Sequence, residues 1–188
     1  MTEKEAINLF RTDFENVGDV IVSAMVQEIA AQGHKATGKL MQSVVNNTQK
    51  LLDGIENEIS YLNYGKIVNS GVSANRIPYS RGSGAGQSKF ISALMNWVRF
   101  KGIAGGLDKN ILRATFAIAR KMKKEGMPTR GSYQFTSNGR RLEWSDYVIL
   151  TKTPYIETEI EDISERYIEN IFAAKLQQIA DQYQLIYL

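Results

Sequence analysis

The sequence predicts an α+β fold: one long helix at each end and two middle helices packed on a small antiparallel sheet of hairpins. Three observations predict it. Apolar residues recur every three or four positions over residues 3–32 and again beyond Pro154, the period of a helix with a buried face. The dipeptides Asp53-Gly54 and Asn138-Gly139 stand between short apolar runs, which is a hairpin signal. Between the hairpins lie two runs of helical period, punctuated by Gly102, Gly105-Gly106 and Gly126.

Taken in order, the first helix carries Ile7, Phe10, Phe14, Val17, Ile21, Ala24 and Ile29 on one stripe, with Gly33 as its stop. Gly18 interrupts it at a cost of about 1 kcal/mol relative to Ala. Thr37 is placed to cap a short turn through its hydroxyl. Val44–Leu52 and Ile55–Leu62 form the first hairpin, with Ile55, Asn57, Ile59 and Tyr61 alternating against Glu56, Glu58 and Ser60. Tyr64–Ser70 reads as a turn or short helix ending at Gly71. Ser80–Ser88 holds three Gly and three Ser, so its composition is that of a flexible loop inside a single domain spanning residues 1–188.

Lys89–Lys101 follows as a helix with Phe90, Leu94, Trp97 and Val98 inward. Asp108 is expected to cap the next helix, which runs to Glu125 with Ile111, Leu112, Thr115, Ile118, Ala119 and Met122 on one face. Lys109, Arg113, Arg120 and Lys124 align on another. Tyr133–Phe135 and Leu142–Trp144 flank Asn138-Gly139 as a second hairpin with Arg140 and Arg141 at its tip, and Tyr147–Thr151 reads as a further strand. Pro154 suits the first turn of the last helix, where Glu157, Glu159, Glu161 and Asp162 would favour its N-terminal dipole. That helix has two apolar stripes. Ile156, Ile160, Ile163, Tyr167, Ile171 and Ala174 form one; Ile168, Phe172, Leu176, Ile179 and Tyr183 form the other. A helix apolar on two sides is normally buried on two sides, so a neighbouring subunit is a candidate cover for the second.

The 188 residues suffice for a core, and 43% apolar with 23% charged residues is ordinary globular composition. No apolar run reaches the roughly 18 residues that span a bilayer, and no basic start followed by an apolar core marks a secretion signal. With no Cys, disulfides, thiolate nucleophiles and Cys-type zinc sites are excluded. The net charge of +3 hides an asymmetry: residues 1–75 carry −3, residues 76–152 carry +11 and residues 153–188 carry −5. A basic middle between acidic flanks suits a polyanion or the acidic flank of a second copy.

Several short signatures follow one another in fixed order. They are Ala36-Thr37-Gly38-Lys39-Leu40 with Ser43, Tyr64-Gly65-Lys66-Ile67-Val68 closing on Gly71, and Asn96-Trp97-Val98-Arg99 with Lys101-Gly102. Ala117-Ile118-Ala119-Arg120 ending at Glu125-Gly126 comes next, and Pro154-Tyr155-Ile156 is last. Over residues 20–185 this order resembles the neck and tail-completion proteins of long-tailed bacteriophages. The resemblance implies a structural, non-enzymatic virion protein that forms a homo-oligomeric ring at the head–tail junction, assembled in the host cytoplasm. Its partners would be portal, connector or tail proteins, with packaged DNA passing through the channel and no membrane. The sequence departs from the family pattern at the Gly-rich insertion of Ser80–Ser88 and at the Arg-bearing segment around Asn138-Gly139.

No catalytic, metal or cofactor constellation emerges, and no cofactor is expected. His34 is the sole histidine and reads as an exposed loop residue. Gly82–Lys89 lacks the Gly-Lys-Ser/Thr ending of a phosphate loop, since Gln87 follows Gly86. The acidic run 157–162 lacks the loop spacing of a calcium site. The candidate subunit interface comprises Ile168, Phe172, Leu176 and Ile179, with Arg81, Gly84 and Lys89 on the Gly-rich loop. Candidate contacts to DNA or an acidic partner are Lys109, Arg113, Arg120, Lys124, Arg140 and Arg141. The competing function is non-catalytic nucleic-acid binding through the basic 109–124 helix, with Tyr133, Phe135 and Trp144 as possible base-stacking aromatics.

Overall fold

The computed structural model describes residues 2–35, 37–51, 54–80 and 88–186, with residues 184–186 described by backbone alone. Along the chain these form α1 (Glu3–Ala31), α2 (Lys39–Gln42), β1 (Val45–Lys50), β2 (Ile55–Ser60) and α3 (Tyr64–Ser70). A 3-10 turn (Ala74–Arg76), α4 (Lys89–Phe100), α5 (Asp108–Glu125), a 3-10 helix (Arg130–Phe135) and α6 (Trp144–Ile186) complete them. The fold is therefore helix-rich α+β with a two-stranded antiparallel sheet. Ala36, Leu52, Asp53 and Arg81–Gln87, and with them half of the expected Asp53-Gly54 turn and most of the expected Gly-rich loop, lie outside the described residues. Contacts group the chain into two compact units. One is Met1–Val26, Ser43–Tyr61 and Ser145–Leu188; the other is Gln27–Gln42 and Leu62–Trp144.

In the first unit, α1 and α6 pack side by side. Glu3 pairs with Lys175 at 2.9 Å, the Phe10 and Tyr167 rings lie 4.7 Å apart, and Asp13 pairs with Arg166 at 3.2 Å. One set of numbers rises as the other falls, so the helices are antiparallel. Ala6, Val17, Ile21 and Met25 of α1 and Val148 and Ile163 of α6 are buried. The hairpin pairs Val45 with Ser60 through Lys50 with Ile55 and is fastened to α1 by amides rather than by apolar contact alone. Asn46 Nδ2 donates to the Glu15 carbonyl at 3.1 Å and to Asp19 Oδ1 at 3.3 Å; Asn57 Nδ2 donates to the Phe14 carbonyl at 2.6 Å. Across the strands, Thr48 Oγ1 donates to Asn57 Oδ1 at 2.7 Å and so orients that amide. Gly18 makes room for this clasp, because a β-carbon there would fall inside the Asn46 carboxamide.

In the second unit, α4 and α5 form a helical hairpin around Ile91, Leu94 and Ala119, with Tyr79, Phe90, Met95, Phe116, Ile118 and Met122 against them. Lys123 Nζ reaches the Ile77 carbonyl at 3.0 Å and ties the 3-10 turn region to α5. Val72 and Met127 exchange backbone bonds of 2.7 Å each way. Gly71 and Gly126 flank this crossing with φ of 72° and 86°. A side chain on either would strike the opposite carbonyl, Met127 or Val72, so space and backbone angle both demand glycine. At the end of α1, Gly33 N–H bonds to the Ala30 carbonyl and His34 N–H to the Ile29 carbonyl, the paired bonds of a Schellman stop.

Several expectations need correction. The second hairpin does not form: Tyr133–Phe135 is 3-10 helix and Trp144 opens α6. The Asn138-Gly139 turn itself exists, with Gly139 at φ 73° and Arg140 N–H bonded to Asn138 Oδ1 at 3.1 Å. Tyr147–Thr151 is helical, since Val148 is buried on α6 and tertiary packing overrides β propensity. Pro154 lies inside α6, not in its first turn, and Asp146 is the acid of that first turn. Glu157–Asp162 are consequently mid-helix. The carbonyl that Pro154 deprives of a partner belongs to Leu150, which is 74% exposed, so water can reach it. Asp108 is the first helical residue, not the cap, and its carboxylate pairs with Arg99 at 3.1 Å. On α4 the buried positions are Ile91, Leu94 and Val98, whereas Trp97 faces outward.

The Gly18 clasp makes a signed prediction. Gly18→Ala adds about 1 kcal/mol of helix propensity but evicts Asn46 from two hydrogen bonds worth about 1 kcal/mol each. Thermal unfolding is expected to show net destabilisation in the native background and stabilisation by about 1 kcal/mol in Asn46→Ala. The same sign in both backgrounds would overturn this account.

Candidate functional site

Among the described residues the candidate sites are surfaces. On α6 the first apolar stripe lies toward α1, with Ile163 buried and Tyr167 against Phe10. The second stripe is uncovered: Ile168, Phe172, Leu176, Ile179 and Tyr183 are between 48% and 66% exposed. Ile168 and Phe172 lie alongside α1 on the side of α6 turned away from it, and Leu176, Ile179 and Tyr183 lie past the start of α1. Lys175 is level with Glu3 in the first turn of α1, and α6 continues to Ile186, about 16 Å further at 1.5 Å per residue.

On α5, Ile111, Thr115 and Ala119 are buried. Lys109, Arg113, Arg120 and Lys124 are all exposed within an arc of about 60° at about 100° per residue. Among the described residues none of the four forms an ion pair, and Arg120 Nε donates to the Phe116 carbonyl at 3.2 Å. At the head of this stripe the α4–α5 turn exposes Phe100, Ile103 and Leu107 at 53–67%. A hollow of about 270 Å³ opens there, with Val98, Ala104 and Ile111 in its wall and the Arg99–Asp108 pair at its edge. Lys89 is exposed at the start of α4; Arg81 and Gly84 lie outside the described residues.

Arg140 and Arg141 occupy a different setting from the exposed tip that sequence reasoning assigned them. Glu28, buried near the end of α1, accepts from Gln32 Nε2 at 3.0 Å, Asn138 Nδ2 at 2.8 Å and Arg140 Nε at 3.3 Å. Gln32 Nε2 also donates to the Leu142 carbonyl at 2.9 Å, and Ser137 N–H bonds to the Ala31 carbonyl. Residues 137–142 are thus a strap tied across the end of α1. Burial lowers the Arg141 guanidinium below its usual pKa. His34 is not the exposed loop residue its neighbours suggested: its Nε2–H donates to the Arg141 carbonyl at 3.3 Å. Burial first, and then the Arg141 charge, hold its pKa at about 4. Of the supposed stacking aromatics, Trp144 is fully buried, while Tyr133 and Phe135 are exposed on the 3-10 helix.

No described helix is long and apolar enough to cross a membrane. Among the described residues no group of three or more His, Cys, Asp or Glu is arranged to hold a metal ion. Comparison with protein-family models, with curated proteins and with solved structures gives no match. The surfaces therefore carry the functional argument by themselves.

The strap sets a pH dependence. His34 stays neutral in the fold down to about pH 4, while in the unfolded chain it protonates near 6.5. Its contribution to stability is complete above about pH 6.5 and is lost as pH falls toward 4, because there only the unfolded chain binds the proton. Allowing for its partial exposure, about 1–2 kcal/mol should disappear across that window. Unfolding of His34→Gln beside the native chain isolates this contribution; identical pH slopes for the two would refute it.

Proposed function

We propose that this chain is a structural subunit of a ring in the head–tail connector, neck or tail-completion layer, of a tailed bacteriophage. The observation that carries the proposal is the uncovered stripe of α6, a row of large apolar side chains on a helix whose opposite face is already packed. The order of motifs from Thr37-Gly38 to Pro154-Tyr155 supports it by resemblance, and the alternation of acidic and basic regions supports a head-to-tail contact. A closed ring needs a heterologous interface, in which one face of each copy meets a different face of the next.

Replacing Phe172 and Leu176 with Asp is expected to weaken self-association, or incorporation into portal-bearing particles, by about a hundredfold or more, as loss of two central apolar anchors does. Helix content by circular dichroism should persist, because neither side chain is buried within the chain. Outright unfolding, or normal incorporation of the doubly substituted protein, would remove this reading.

A second reading, nucleic-acid binding, is favoured by the unpaired cationic face of α5. Neutralising phosphates releases counterions, so log affinity should fall with log salt with a slope of about −0.9 per contact. Changing Lys109, Arg113, Arg120 and Lys124 to Gln is expected to flatten that slope by up to about four contacts. A protein that binds neither duplex nor single strands at low salt excludes it.

A further inference from the structure

Two surfaces described above match in pattern as well as in charge. Glu157, Glu161 and Glu165 are exposed at four-residue steps, and a three-residue step leads into the apolar stripe of Ile168, Phe172 and Leu176; exposed Glu169 borders it. This face of α6 is therefore acidic toward its N-terminal end and apolar beyond. The α5 face reads in the complementary order. Its head is the exposed apolar turn of Phe100, Ile103 and Leu107, and the cations Lys109, Arg113, Arg120 and Lys124 follow.

The lengths agree too. Leu107 to Lys124 spans about 25 Å and Phe172 back to Glu157 about 22 Å at 1.5 Å per residue. Setting Leu107 level with Ile171, one residue from Phe172, with the helices antiparallel brings Lys109 level with Glu169, Arg113 with Glu165, Ala117 with Glu161 and Arg120 with Thr158, one residue from Glu157. In this register apolar residues of α6 meet the apolar turn while its carboxylates meet the cations.

We infer that the α5 face and α4–α5 turn of one copy are the docking surface for the α6 face of a second copy, antiparallel and in this register. The inference rests on the ring reading and names the two unlike faces that such a ring requires. An acidic protein helix fits the α5 face better than a nucleic acid does. A phosphate backbone would meet the cations yet leave Phe100, Ile103 and Leu107 in water, whereas the α6 face covers both. Paired rows of opposite charge also fix register and reject the parallel alternative.

The absence of Cys from the chain gives a direct test. Ala117→Cys and Glu161→Cys are made as separate full-length proteins, mixed and oxidised. The expected product is a disulfide-linked heterodimer, with neither variant dimerising alone; one chain carrying both substitutions should give a ladder of oligomers. Adding Lys109→Glu and Arg113→Glu to the first protein should cut the yield about tenfold, and adding Glu165→Lys and Glu169→Lys to the second should restore it. Several results would overturn the inference: an intrachain disulfide in the doubly substituted chain, homodimers of Glu161→Cys alone, equal yields whatever the charges, or no crosslink at any concentration. So would loss of DNA binding on charge reversal with crosslinking unchanged. Incorporation into portal-bearing particles, measured in parallel, separates the two levels: particles that take up the protein without this crosslink retain the ring and discard the interface.

Discussion

The carboxylate of Glu28 is the constraint on which the arrangement of the second unit depends. A buried charge is tolerated only when its oxygens are matched by donors, and Glu28 finds three, from Gln32, Asn138 and Arg140. Two of them lie more than a hundred residues away in sequence, so the strap of residues 137–142 supplies two of the three bonds to Glu28 Oε1. The strap in turn delivers Leu142 to the Gln32 amide and Trp144 to a fully buried position. Truncating Glu28 would remove the acceptor of Asn138 Nδ2 and one acceptor each of Gln32 and Arg140. Arg140, which composition assigns to a basic surface, has its charge matched here.

The first unit is organised by a different economy of polar groups. Its hairpin offers α1 a face of Asn46, Thr48 and Asn57, interspersed with Ile55 and Ile59. Amide donors on the carbonyls of Phe14 and Glu15 supply what apolar area alone does not. Gly18 is the condition for that approach, which gives a mid-helix glycine of poor propensity a reason to be there. The antiparallel pairing of α1 with α6 uses one apolar stripe of α6 and leaves the other without cover.

How much of this was legible beforehand follows from the range of each interaction. The α1 stripe, its stop at Gly33, the first hairpin and α3 were legible because period and turn chemistry are local. The Asn138-Gly139 signal was read correctly as a turn and wrongly as a hairpin: the dipeptide encodes a reversal, but a ladder needs flanking segments that pair, and these are held instead by 3-10 bonds and by α1. Residues 147–151 carry Val148, Ile149 and Thr151, strand formers in isolation, and their helical state follows from burial of Val148. Pro154 misled for the same reason, since the helix starts ten residues earlier at Trp144. Of the candidate surfaces, the second α6 stripe and the α5 cations were visible as periodicities. That α6 outruns α1, and that Arg140 and His34 sit against α1 and the strap, depend on contacts that no local pattern encodes.

The overhang of α6 has a consequence for the order of events in assembly. Beyond the level of Lys175, the helix is about eleven residues long, a length that is marginal for an isolated helix in water. Its ordering is therefore inherited from the packed turns before it. On the ring reading proposed above, covering Leu176 and Ile179 would couple the ordering of that last stretch to association, with the heat-capacity and entropy signature of coupled ordering rather than of rigid docking. On that reading, part of the folding free energy of the chain would be held back until the stripe is covered.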